Sequence, residues 1–166
     1  MSTVDSIERT YGFGEKLQTV LPDDTVSTAA KSMANYRVGC LLVVNRDDDL
    51  IGIISERDIL TKITAADRDA RTISVEQVMT TSVFSCTPDM STDEAQAIMA
   101  RHRIRHLPIV NGTKPIGMVS IRDVIVHQLK AAQERDKHQR GVLQQLEDTH
   151  PGITKMNTDD AGRIVI

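Results

Sequence analysis

At 166 residues, of which 40% are apolar, the chain is long enough to bury a real core, as one domain or as a tightly packed pair of half-domains. Aromatics make up 2% and tryptophan is absent, so that core must be built from Val, Ile, Leu, Ala and Met. A net charge of −3 argues against a dedicated nucleic-acid binder. No apolar run approaches the roughly 18 residues of a membrane span, and the first residues lack the basic and apolar regions of a secretory signal. No membrane partner and a cytoplasmic location are expected.

Residues 1–15 read as a polar lead-in arm. Leu17 to Leu21 reads as a short strand ended by Pro22. Thr25 to Tyr36 has apolar residues at Val26, Ala29, Ala30 and Met33, the spacing of an amphipathic helix. Val38 to Asn45 is nearly continuous apolar sequence, as in a strand covered on both faces. Arg46 to Asp49 is a hairpin turn and Leu50 to Ile54 the returning strand. A helix follows from Ser55 to about Thr64, and Ala65 to Ser74 is polar and reads as linker. Val75 to Thr80 is a short helical lead. Then come a strand at Val83–Cys86, a helix at Ser91–Arg101, a strand at Leu107–Val110, an Asn111-Gly112 hairpin, a strand at Ile116–Val119 and a helix from Arg122 to Lys130. This last helix is read as continuing toward Glu147, with Val142, Leu143 and Leu146 on an apolar side able to dock on a partner subunit. The tail carries only a weak edge-strand signal at Arg163–Ile166.

The chain therefore says one thing twice. At a shift of 66 residues, Ala29 meets Ala95, Met33 meets Met99, Arg37-Val38 meets Arg103-Ile104, and Val43-Val44-Asn45 meets Ile109-Val110-Asn111. After a one-residue gap, Gly52-Ile53-Ile54-Ser55-Glu56-Arg57-Asp58 meets Gly117-Met118-Val119-Ser120-Ile121-Arg122-Asp123. Each copy is β-α-β-β-α. Duplicating a whole supersecondary unit predicts an internal two-fold axis with clefts where the copies meet. The expected boundaries are an arm at 1–15, repeats at 16–64 and 78–130, a linker at 65–77, and a C-terminal helix and tail at 131–166.

The shared G-x-x-S-x-R-D is the best pointer to chemistry. Ser55 and Ser120 sit where a strand feeds a helix, and there unpaired backbone N–H groups and the helix dipole favour an anion. Asp58 and Asp123 come one turn later and can accept bonds from vicinal sugar hydroxyls. Arg57 and Arg122 add a planar cationic fork suited to phosphate. The plainer reading is that Ser and Asp only cap the helix. Cys40 and Cys86 lack C-x-x-C spacing and read as buried reduced thiols, with a redox pair as the rival. No G-x-S-x-G elbow, P-loop or H-E-x-x-H is present, so no enzyme is expected.

Two such copies, the Val78-Met79-Thr80-Thr81 lead and the run Arg103-Ile104-Arg105-His106-Leu107-Pro108-Ile109-Val110 together resemble a tandem pair of cystathionine-β-synthase (CBS) domains, a Bateman module of the stand-alone bacterial type, over residues 14–130. The resemblance implies an α/β (α+β) fold of two pseudo-symmetric repeats packed through their sheets. It implies a homodimer that binds an adenine nucleotide (AMP first, ATP or NAD(H) as alternatives) and regulates another protein in energy or redox sensing. It places Ser55, Asp58, Ser120 and Asp123 at ribose and phosphate. Thr81, Ser82 and Val83 would line the base. The copy-one counterpart is Glu15-Lys16-Leu17, where charged residues such as Lys16 replace small polar ones, so the two clefts should differ. Val38, Gly39 and Cys40, with Ile104, Arg105 and His106, would form the other wall. Arg101 and His102 read as a solvated turn, and metal or nucleic-acid readings of the Arg101–His106 run are weaker. The alternative function is a ligand-independent dimerisation scaffold.

Overall fold

Proline, threonine and serine set the boundaries of the computed structural model, which describes residues 2–7, 17–149, 157–158 and 164–165. Strand β1 (Thr19–Val20) ends before Pro22, and helix α1 (Val26–Tyr36) starts on Thr25, whose hydroxyl accepts from the Thr28 N–H at 3.1 Å. Its inward stripe is Val26, Ala29 and Met33. Helix α3 (Thr92–His102) repeats this 66 residues later, with Thr92, Ala95 and Met99 inward. It is capped by Ser91, which forms a reciprocal box with Glu94.

Strand β2 (Cys40–Val44) is buried at every position and lies between β1, parallel to it, and β3 (Leu50–Ser55), antiparallel. Helix α2 (Glu56–Lys62) leaves β3 directly. In the second repeat β4 (His106–Asn111) and β5 (Lys114–Ser120) form the matching hairpin; Asn111 pairs with Lys114, so the turn residues are Gly112 and Thr113 rather than the expected Asn111-Gly112, and Gly112 takes the positive φ, +62°, that the turn needs. Helix α4 spans Ile121–Thr149, longer than the expected 122–130 and in keeping with the continuation toward Glu147.

The strand expected at Val83–Cys86 does not form. Only Cys86 bridges Ile109, through Cys86 N–H to Pro108 O and Val110 N–H to Cys86 O, both 2.9 Å. The reason is Pro108. Extending this parallel ladder toward residue 84 needs an N–H at position 108, and proline has none. The first repeat has Leu42 at the matching position and keeps a two-residue ladder, Thr19↔Leu42 and Val20↔Val43.

The chain divides into two compact units, Met1–Ile125 and Val126–Ile166. The first holds two cores. One gathers Val20, Val26, Ala29, Met33, Leu41, Val43 and Ile54 with Val75 and Val78; the other gathers Cys86, Ala95, Met99, Leu107, Ile109, Val119 and Val124 with Val4 and Ile7. Val4 and Ile7 correct the reading of the N-terminus as a polar arm. Val4 and Asp5 donate to Met90 O and Pro88 O at 2.8 and 3.0 Å, while Val75 and Glu76 donate to Asp24 O and Pro22 O at 2.8 and 3.0 Å. Each repeat is thus completed by the segment that precedes the other one in sequence. The second unit contains the rest of α4 and a short antiparallel pairing of β6 (Asn157–Thr158) with β7 (Ile164–Val165), so the weak strand signal near the C-terminus pairs locally. The side chains of Val142, Leu143 and Leu146, read as a docking face, lie outside the described residues.

Candidate functional site

Both copies of G-x-x-S-x-R-D fold as strand, cap and helix. Ser55 Oγ donates to Asp58 Oδ2 at 2.5 Å, the Ser55 N–H donates to the same oxygen at 3.0 Å, and the Asp58 N–H returns a bond to Ser55 Oγ at 3.3 Å. Ser120 and Asp123 repeat the box at 2.6, 2.9 and 3.2 Å. The plainer capping role is therefore realised in both copies. Their settings differ. Asp58 is half-buried and takes a second donor, Lys62 Nζ at 2.7 Å, which also donates to Val78 O. Burial pushes the Asp58 carboxyl up, but the Lys62 ammonium and the Ser55 hydroxyl and N–H hold it below the usual carboxylate range. Asp123 is 2% exposed.

Two clefts flank these junctions. The first, about 260 Å³, is lined by Ser55, Arg57 and Asp58 from the first repeat and by Ile104, Arg105 and His106 from the second. Gly39 and Cys40 also line it, and Ser82 and Val83 come from the segment that precedes the second repeat's helix. The second, about 320 Å³, is walled by Ser120, Arg122, Val38 and Gly39, again with Arg105 and His106. Most residues singled out in the sequence thus come together. Thr81 and Asp123 line neither cleft; Asp123 is 2% exposed and its Oδ2 accepts from the Ser120 N–H and hydroxyl of the cap, whereas Asp58 lies on a cleft wall. Lys16 lies outside the described residues. Arg101 and His102 are exposed and line neither cleft, and the ring of His102 stacks on Phe84 at 3.8 Å.

Sequence reasoning missed Ile53, Thr80, Phe84, Arg103 and Pro108 in the first cleft and Arg37, Glu56 and Ile121 in the second. Arg37 and Arg103 were legible in principle, because they align in the repeat. Thr80 reaches its place through Gly52. Thr80 and Ile53 exchange both backbone hydrogen bonds, at 2.9 and 3.0 Å, and a Cβ on residue 52 would come within 2.6 Å of Met79 Sδ and 3.2 Å of Thr80 O. That glycine lets the lead into the second repeat lie against the edge of the first sheet.

The electrostatics of the clefts are unbalanced. Arg57, Arg103 and Arg105 face the first and Arg37, Arg105 and Arg122 the second. Among the described residues none of these five has an ion-pair partner, whereas Arg46, Arg71 and Arg140 each have a carboxylate. Burial, helped by Arg105, lowers the pKa of His106 and favours the neutral imidazole. Burial, with Glu56 next, pushes the Cys40 thiol up to about 12, and its sulfur packs 3.4 Å from Met118 Sδ. A thiol so far from ionising is a poor nucleophile, and neither cysteine is in a disulfide. Among the described residues no cluster of His, Cys, Asp and Glu could hold a metal, and no helix is long and apolar enough to cross a membrane.

Duplicated α/β units, joined by exchanged lead segments and bearing basic clefts at their strand-to-helix junctions, define a tandem-repeat binding module. The CBS domain model matches residues 14–65 and 75–130, and the chain belongs to that family. The CBS domain-containing protein YhcV of Bacillus subtilis is 39% identical over 114 residues, covering 69% of this chain and 80% of its own. A CBS-domain protein from Burkholderia ambifaria has the same fold at 41% identity and a TM-score of 0.69, covering 75% of this chain and 91% of its own. CBSX2, solved in complex with AMP, shares the fold alone: 21% identity, TM-score 0.67, over 80% of this chain and 99% of that one.

Proposed function

We propose that the protein is a non-catalytic regulatory module that holds an adenine nucleotide in the clefts between its two CBS repeats and signals by a shift in their mutual arrangement. The observation that carries this reading is the set of five cleft arginines without an ion-pair partner among the described residues: Arg57 and Arg122 at strand-to-helix junctions, Arg37 and Arg103 at helix ends, and Arg105 just before β4. Positive charge left unneutralised in a concave site is suited to phosphate. In the first cleft Ser55 and Arg57 meet the phosphate. Asp58 keeps lone pairs for ribose hydroxyls beyond those its cap and Lys62 use. The base lies among Ile53, Val83 and Ile104, beside Gly39 and Cys40. In the second cleft Ser120, Arg122 and Val38 play the matching parts. AMP binding by a module of the same fold supports the ligand class.

Ligand acts only through its difference in affinity between arrangements. A second copy of the chain completes the assembly. Leu60 and Ile125 occupy matching positions of the two repeats and are 60% and 44% exposed, the apolar surface a homodimer would cover. We place the protein in the cytoplasm, acting on a separate target protein.

Calorimetric titration with AMP, ATP and NADH tests the reading. At least one should bind, and Arg105→Ala, which strips a guanidinium from both clefts, should weaken it tenfold or more. Absence of binding by all three would instead favour a ligand-independent scaffold, a reading to which the self-satisfied Ser–Asp caps lend support.

A further inference from the structure

Two arginines stand where a glycine is ordinarily found. Helices α1 and α3 both end in a Schellman turn. The Arg37 N–H bonds back to Ala34 O and Met33 O and the Val38 N–H to Met33 O; Arg103 and Ile104 do the same to Ala100 O and Met99 O. The turn requires a left-handed residue, and Arg37 (φ 55°, ψ 41°) and Arg103 (φ 53°, ψ 36°) supply it. Glycine reaches that conformation without steric cost, and Asn and Asp tolerate it; a long side chain with a Cβ does neither. The other described non-glycine residues at positive φ are Asp48 and Asp67, of the tolerant kind. A local backbone cost kept at both equivalent positions points to the side chain as its reason.

Both residues line the clefts. Arg103 lines the first and Arg37 the second, and neither has a carboxylate or other polar partner among the described residues. Arg103 joins Arg57, and Arg37 joins Arg122, so each cleft has one arginine from a helix start and one from a helix end. We propose that Arg37 and Arg103 are phosphate-recognising residues, one per cleft, which occupy the glycine slot for the sake of their guanidinium groups and make the module select phosphorylated nucleosides over the bare nucleoside. This rests on the nucleotide reading above and deepens it.

The glycine slot supplies an unusual test, because the natural replacement should not harm the fold. Arg37→Gly, Arg103→Gly and the double variant are titrated with ATP, AMP and adenosine by calorimetry, and their melting temperatures are measured. The double variant should lose tenfold or more in affinity for the tighter-binding of the two nucleotides while melting within a few degrees of wild type or above it. Adenosine affinity should hardly move. Arg37→Asn/Arg103→Asn, which keeps a side chain that tolerates the turn, should behave alike and guards against loosening by glycine. Wild-type nucleotide affinity in both double variants would overturn the proposal while leaving the nucleotide reading intact. So would an equal loss for adenosine, which marks a general distortion of the cleft. A wild-type protein that binds none of AMP, ATP and NADH would overturn both together.

Discussion

The two repeats are built from the same residues at the same spacing, yet they use them differently. Ser55–Asp58 and Ser120–Asp123 form the same capping box, but Asp58 stands on a cleft wall with Lys62 beside it, whereas Asp123 is sealed at 2% exposure. The first repeat keeps a three-stranded sheet; the second keeps two strands and a single bridge, because Pro108 lacks the N–H that Leu42 has. Duplication fixes the local geometry of a motif, and the surrounding packing decides whether its carboxylate lines a cleft or is sealed in the interior. Sequence identity between copies is therefore better evidence for a turn or a cap than for a binding role.

The strongest test of the comparison concerns the cores. Leu41 and Leu107 are equivalent, and both are fully buried. Truncation to alanine should cost each repeat about 2–5 kcal/mol. The exchanged lead segments, Val4 in the second core and Val75 in the first, tie the repeats together, so either variant should lower a single shared unfolding midpoint. Differential scanning calorimetry checks it. Two separated transitions in either variant would show that the exchange does not couple the repeats.

The serine caps test the inequality directly. Ser55→Ala should cost about 1 kcal/mol, an ordinary cap loss, because Asp58 retains the Lys62 donor. Ser120→Ala removes one of the donors of a buried carboxylate and should cost more, about 1–3 kcal/mol. Urea denaturation measures both. Equal losses would mean that the difference in burial carries no energetic weight.

Much of this was legible in advance, and the misses have physical causes. The order of helices and hairpins and the two strand-to-helix junctions follow from periodicity and from the internal repeat, whereas the cleft walls were indicated only by the resemblance to a CBS pair. Val4 was missed because a lone valine in polar sequence carries no periodic signal. The pattern Thr3-Val4-Asp5-Ser6-Ile7 against Ser74-Val75-Glu76-Gln77-Val78 would have found it, since both stretches read small, Val, acid, polar, aliphatic. The burial of Asp123 was not legible, because it depends on tertiary packing around a residue whose neighbours match those of Asp58. Val83–Cys86 looked like a strand because propensity was weighed within the segment, while the missing N–H lies on its partner at Pro108.

The smallest effect falls where the hairpin turns of the two repeats meet, and it too is one-sided. Asp49, from the first repeat, accepts from Thr113 Oγ1 at 2.5 Å and pairs with Lys114 Nζ at 3.0 Å, while Leu50 N–H reaches Thr113 O at 2.9 Å. The Thr113 hydroxyl, then Lys114 and Asn45, bring the Asp49 carboxyl down to about 2. A carboxyl depressed in the folded state stabilises it fully above the unfolded value of about 3.9 and loses that contribution as pH falls through the folded value. Asp49→Asn should therefore be slightly less stable than wild type at pH 5 to 7, by a constant margin that shrinks below about pH 4 and closes near 2. The group is solvent-accessible, so the margin should also narrow in high salt. Urea midpoints of both proteins across that range measure it. A margin that persists unchanged to pH 2 would assign the loss to the geometry of the turn instead of to the charge that joins the repeats.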